Sequence, residues 1–119
     1  MANPTTTNYN TDRLIAGQVQ TQQVKFAADR YYRGMPLEYD AANDRYRYYG
    51  TDTSILHGFF LEDDNLGSGI VKADNEWGSI INGGEVQEGG IVDDSGNAMT
   101  ITEDMIAGAA LLGIYIKRK

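Results

Sequence analysis

The chain has 119 residues, 41% of them apolar and 23% charged, the balance of one globular domain rather than a disordered chain. It has no cysteine and one histidine, His57, which excludes a disulfide framework, a thiolate zinc site, a cysteine nucleophile and any multi-histidine metal centre. A net charge of −7 argues against a general phosphate-binding surface, so no nucleic-acid partner is expected.

Thr, Asn and Gln fill twelve of the first 23 positions, and there is no helical period among them. Such a segment buries too little apolar surface to offset its own ordering entropy. Residues 1–23 therefore read as a flexible N-terminal arm, able to add to a partner as an extended strand, with Leu14 and Ile15 among its few apolar anchors. A merely frayed terminus fits the same composition. The segment has no apolar run that could serve as a signal-peptide core.

From Val24 onward, residues 24–119 read as a single compact, strand-rich domain. Val24–Ala27 alternates, Arg30-Tyr31-Tyr32-Arg33 runs to a turn or bulge at Gly34, and Met35–Tyr39 enters an Asx-rich loop at 40–44. The return strand, Arg45–Tyr49, places Tyr46 and Tyr48 on one face and Arg45, Arg47 and Tyr49 on the other. Ile55–Leu61 is apolar apart from His57, as expected of a central strand covered on both faces. Glycines then punctuate short strands at Ile70–Lys72, Ser79–Ile81, Val86 and Ile91–Val92. Asn82-Gly83-Gly84 fits either a tight hairpin or a kink within one pairing region.

One helix is predicted to start near Thr100 or Thr102. Thr100-x-x-Glu103 has the spacing of a capping box, and Met105, Ile106, Ala109, Ala110 and Leu112 form its apolar stripe. Gly113 suits its C-terminal cap, and Ile114–Ile116 supplies a last strand before the basic tail. The apolar patch Met105–Leu112 is far short of the about 20 residues a bilayer requires, so no membrane partner is expected. The fold class is α+β and β-rich: a small body of short strands, one short helix near the C-terminus, and an extended N-terminal arm.

Chemistry is sparsely provided. Glu62-Asp63-Asp64-Asn65 and Asp93-Asp94-Ser95-Gly96-Asn97 are oxygen-rich but lack the spacing of a calcium loop, and read as solvated turns. The glycine-rich stretches lack a phosphate-loop signature. Catalytic, metal and cofactor sites are therefore all expected to be absent. Tyrosines at 31, 32, 39, 46, 48 and 49, with Arg30, Arg33, Arg45 and Arg47, are residue types enriched at protein interfaces. A carbohydrate-binding face or a single-strand stacking platform draws on the same residues, as does ordinary cross-strand packing. The interface candidates are Tyr46, Arg47, Tyr48, Tyr49 and His57.

The order of motifs adds a resemblance. A polar arm is followed by Arg33-Gly34-Met35-Pro36-Leu37, His57-Gly58-Phe59-Phe60-Leu61-Glu62-Asp63, Gly84-Glu85-Val86, Thr100-Ile101-Thr102-Glu103 and Leu112-Gly113-Ile114. This succession, over roughly residues 10–116, resembles the lambda-type head decoration proteins of tailed bacteriophages. The resemblance implies a non-enzymatic, capsid-stabilising protein of the virion. It implies a homotrimer on the outer surface of the expanded capsid, with the major capsid (coat) protein as partner, made in the host cytoplasm. It also implies an arm that orders against the coat shell, for which Thr5, Thr6, Thr7, Asn8, Tyr9, Asn10, Leu14 and Ile15 are the contact candidates. The Tyr/Arg hairpin and the acidic stretch from Glu62 to Glu76 depart from a minimal member and suggest an elaborated outward surface. An apolar excess in Ile55–Leu61 adds to the expectation of a trimer. The alternatives are a fibre base or tail component, or a carbohydrate-binding module using the Tyr/Arg face.

Overall fold

A computed structural model describes residues 14–50, 55–62 and 67–118. Its strands are β1 (Ile15–Phe26), β2 (Asp29–Tyr31), β3 (Pro36–Asp40), β4 (Arg45–Tyr48), β5 (Leu56–Phe60), β6 (Ile70–Lys72), β7 (Glu76–Gln87) and β8 (Ile114–Lys117). One helix, α1 (Glu103–Leu111), precedes β8. The β-rich α+β class is as the sequence predicts. The sheet runs β1-β4-β3-β5-β7-β8, and pairing of β1 with β7 closes five of these strands into a small barrel. β2 and β6 form a separate two-stranded ribbon.

The long antiparallel ribbon of β1 and β7 is the spine, paired from Ile15↔Val86 to Phe26↔Glu76 with two register shifts, between Ile15 and Val19 and between Gln20 and Thr21. One edge of β7 belongs to β1, while its other edge takes β5 at Ile80–Ile81 and then β8 at Gly84–Gln87. Asn82-Gly83-Gly84 therefore lies inside one strand as a kink, and no hairpin forms there. Gly84 has φ +106°, and a Cβ at that position would strike the main chain of Gln18 and Val19 on β1. Only glycine allows the two strands to approach this closely.

Two apolar clusters share the interior. Val24, Phe26, Tyr31, Met35, Leu37, Phe60 and Ile80 make up one, in which Tyr31 and Phe60 stack at 5.5 Å. The other lies under α1 and gathers Leu14, Leu56, Phe59, Ile81, Val86, Met105, Ala109 and Ile114, among others. Val24, Phe26 and Leu14 tie the ends of β1 into the two clusters.

Residues 14–23 are thus part of the body, which corrects the arm predicted over 1–23. Composition misleads here because a ribbon strand needs few apolar side chains: its main-chain bonds go to β7, and Gln18, Gln20, Thr21, Gln22 and Gln23 face solvent. Residues 1–13 lie outside the described residues.

β5 sits between β3 and β7, as the sequence predicts of a central strand. Leu56, Gly58, Phe59 and Phe60 are buried within their own body, so this strand offers no apolar excess to a partner. Only the preceding Ile55 is largely exposed.

The helix cap falls at Thr102, whose hydroxyl accepts from the Met105 N–H at 3.2 Å, and the predicted Thr100–Glu103 box does not form. Glu103 and Asp104 occupy the first turn, where the helix dipole favours them. Ala110 is exposed, so the buried stripe is narrower than predicted and rests on Met105 and Ala109. Thr102→Ala is expected to cost about 1 kcal/mol, read as a lower urea midpoint at unchanged slope; an unchanged midpoint would show the cap to be idle.

Tyr31 is fully buried, and its hydroxyl donates to the Ala27 carbonyl at 2.7 Å. Burial, aided by Asp29, pushes its pKa well above the ordinary tyrosine value. The unfolded chain then loses this proton more readily than the folded one. The contribution is complete below about pH 10 and is lost as pH rises from there through the raised folded value. Tyr31→Phe is expected to flatten this alkaline decline in unfolding midpoints, while losing about 1 kcal/mol at neutral pH with the hydrogen bond.

Candidate functional site

Two surfaces carry the features on which an interaction can be built. The first is the outer edge of β1. β4 meets that edge only at Phe26↔Tyr46, where the Ala27 N–H also donates to the Tyr46 carbonyl at 2.9 Å. N-terminal to Phe26, no strand covers the outer edge among the described residues. Among the described residues β8 pairs only with β7, so its outer edge is uncovered there as well. Open edges present unpaired main-chain groups and are templates for an added strand.

The beginning of β1 is held firmly. The Gln87 N–H donates to the Leu14 carbonyl at 2.6 Å, and the Gln87 side-chain amide donates to the Ile15 carbonyl at 3.1 Å. Lys117 pairs with Gln87 in the ladder, and Arg118 meets Glu88 at 3.0 Å. The point where residues 1–13 join the body therefore lies beside the basic end of β8. Of the predicted arm contacts, Leu14 is buried in the core and Ile15 packs against it. Thr5, Thr6, Thr7, Asn8, Tyr9 and Asn10 lie outside the described residues.

The second surface is the β3–β4 hairpin, and here the predicted Tyr/Arg face divides. Tyr46 and Tyr48 pack inward against Leu37 and its neighbours, and Tyr49 is buried in the cluster beneath α1. The arginines lie on the opposite face. Arg47 donates to Glu38 at 2.7 Å and meets Asp40 at 3.4 Å, while Arg45 reaches Asp40 at 3.6 Å and Asp74 at 3.1 Å. The Asn43 amide holds the Asp40 carboxyl below its ordinary range, with both arginines adding and burial opposing. Hydrogen bonding to Glu38 raises Arg47 in turn. These charges are committed to one another, so Arg47 is a poor anchor for a partner.

Tyr39, Tyr46 and His57 form a ring cluster, with centroids 5.2 Å apart between the tyrosines and 5.8 Å from Tyr39 to His57. His57 Nδ1 lies 2.9 Å from the Ile55 carbonyl. Because a carbonyl only accepts, this contact requires a proton on Nδ1. Tyr39 donates to Asp44 at 2.6 Å, and this bond raises its pKa. Burial, then the Asp44 charge, raises Tyr46.

The acidic loop at 93–97 holds itself. Asp93 Oδ1 accepts from the N–H groups of Ser95 and Asn97, which closes an Asx turn. Among the described residues no three His, Asp or Glu side chains gather as a metal site. Glu62 lies outside any such loop: both its oxygens accept from the buried Lys72 ammonium at 3.1 Å, and one accepts from Ser79 N–H at 2.9 Å. Lys72 also donates to the Trp77 carbonyl at 3.0 Å. Asp63, Asp64 and Asn65 lie outside the described residues.

Trp77 is the residue that the sequence reading passes over. It is 58% exposed, on the outward face of β7 beside Lys25. Its only signal is a large aromatic just after the Ala73–Glu76 turn, at a strand start that the glycine-rich surroundings obscure. No family model matches this chain, and no curated protein matches it.

Proposed function

We propose that the protein is a capsid decoration protein of a tailed bacteriophage: a non-enzymatic homotrimer that binds the outside of the expanded head and bridges coat subunits. The observation that carries this reading is the polar segment 1–13 leading directly into β1, whose own outer edge is uncovered among the described residues. The sequence motifs of the resemblance support it: Gly34 in the turn before β3, Gly58 in β5 and Gly84 in β7 are positive-φ positions, and Gly113 follows the helix.

The mechanism is linkage. Packaged DNA pushes outward, and a subunit that binds only the expanded lattice stabilises that lattice by mass action. Residues 2–13 pair through main-chain hydrogen bonds with an exposed coat strand, while the folded body fixes where the three segments begin. Such pairing needs no cofactor.

The test mixes the pure protein with bare expanded capsids of the coat protein encoded in the same genome. Sedimentation of the free protein should give a trimer or a monomer–trimer equilibrium, and the mixture should show density at local threefold positions. A symmetric dimer, or capsids that remain bare, would sink the reading.

A further inference from the structure

β1 and β4 part immediately beyond the Phe26↔Tyr46 pair, and a trough of about 350 Å³ opens between them. That volume is in the range of small-ligand sites, about 300–1,000 Å³. Gln22 to Lys25 form one wall, Tyr39, Asp44 and Tyr46 the other, and Trp77 closes one side. We propose that this trough is a binding site for a neutral saccharide.

Three observations converge on that ligand class. Trp77 supplies an aromatic platform: the Lys25 ammonium lies 5.8 Å from its ring centroid and covers one part, while most of the residue remains exposed. The apolar C–H face of a pyranose stacks on such a surface. Second, three polar side chains along the walls of the trough, Gln22, Gln23 and Asp44, are each fixed by one internal hydrogen bond and keep further bonding capacity. Gln22 Oε1 accepts from Asn82 at 2.9 Å, which orients its NH₂ group as a free donor. Gln23 Nε2 donates to Ser79 Oγ at 2.5 Å, which leaves its carbonyl oxygen to accept. Asp44 uses Oδ1 for the Tyr39 hydroxyl, and Oδ2 is left as an acceptor. Sugar hydroxyls both donate and accept, so a mixed, pre-set array of this kind matches them.

Charge supplies the third observation. Lys25 and Asp44 offset each other, and among the described residues neither an arginine nor a helix N-terminus lines the trough. A phosphorylated or strongly anionic ligand therefore has little to hold it. The site is argued separately from the capsid reading, because every residue that carries it belongs to the folded body.

Trp77 is the only tryptophan in the chain, so its fluorescence reports on the trough directly. The full-length protein is applied to an array of neutral and acidic glycans, then titrated with maltohexaose, cellohexaose, chitohexaose and the best array ligand. The expected result is saturable binding of one neutral glycan class with a shift in Trp77 emission. Gln23→Ala should weaken it about two- to tenfold, the loss of one neutral hydrogen bond. Trp77→Ala should abolish array binding or weaken it about 30-fold or more, while Trp77→Tyr retains it. Tyr115→Ala, on β8, should change nothing. Capsid decoration should survive Trp77→Ala, which separates failure of this site from failure of the capsid reading. Absence of array binding and of any fluorescence response at millimolar oligosaccharide overturns the proposal. So does binding that survives Trp77→Ala, or a trough that selects extended peptides or acidic glycans instead.

Discussion

Deleting residues 2–12 is expected to leave the body folded while occupancy on expanded capsids falls by orders of magnitude. Ordering a free segment costs about 1–2 kcal/mol per residue in backbone entropy, so one arm gains little when it binds alone. Three arms on one trimer act together, and effective concentration raises affinity by roughly 10²–10⁴ over a single contact. The position of the cut matters. Leu14 is buried in the cluster beneath α1, and its carbonyl accepts from Gln87. A deletion running through Ile15 should therefore also destabilise the body, by about the 2–5 kcal/mol of a buried leucine truncation. Capsid binding by sedimentation and unfolding by circular dichroism separate the two effects. Decoration by the shorter deletion as tight as that of the full chain would end the bridging mechanism.

Phe60→Ala is expected to cause the largest loss of stability of any single truncation in the barrel, about 3–5 kcal/mol. Phe60 is fully buried, packed edge-on against Phe26 at 5.3 Å and stacked with Tyr31 at 5.5 Å. Each aromatic pair contributes about 0.5–1.5 kcal/mol beyond the buried area, and removal of the ring leaves a cavity that three strands cannot close. Against a total of about 5–15 kcal/mol, the variant should sit near the edge of folding. Phe60→Leu, which keeps most of the volume, should lose far less. Urea unfolding of both variants tests the point, and a loss below about 1 kcal/mol in Phe60→Ala would mean that the trio does not hold the barrel together.

The local elements were legible because their signals are local. Alternation over Arg45–Tyr49 marked β4, the apolar run Ile55–Leu61 marked β5, and a start near Thr100 or Thr102 with Gly113 bounded the helix, though the cap fell at Thr102 and not at the Thr100 box. Periodicity and capping act within a few residues, so a sequence displays them directly. Composition alone put 14–23 outside the body, because pairing is invisible in one strand. A glutamine-rich segment becomes a twelve-residue strand only when β7 supplies the other half of each main-chain hydrogen bond.

The surfaces were decided by tertiary structure for the same reason. Alternation separates Tyr46 and Tyr48 from Arg45 and Arg47, but only the fold shows that Tyr46 packs against the core and that Arg47 is tied to Glu38 and Asp40. Trp77, unremarked in sequence, becomes exposed beside Lys25 only because β1 and β7 share a register. The sequence by itself determined a β-rich body with a capped helix, a polar leading segment and too few chemical groups for cysteine or multi-histidine chemistry. The closure of the barrel, the open edge of β1 and the trough beside Trp77 depend on which distant strands meet, and long-range pairing energies leave no mark in the residues of either strand alone.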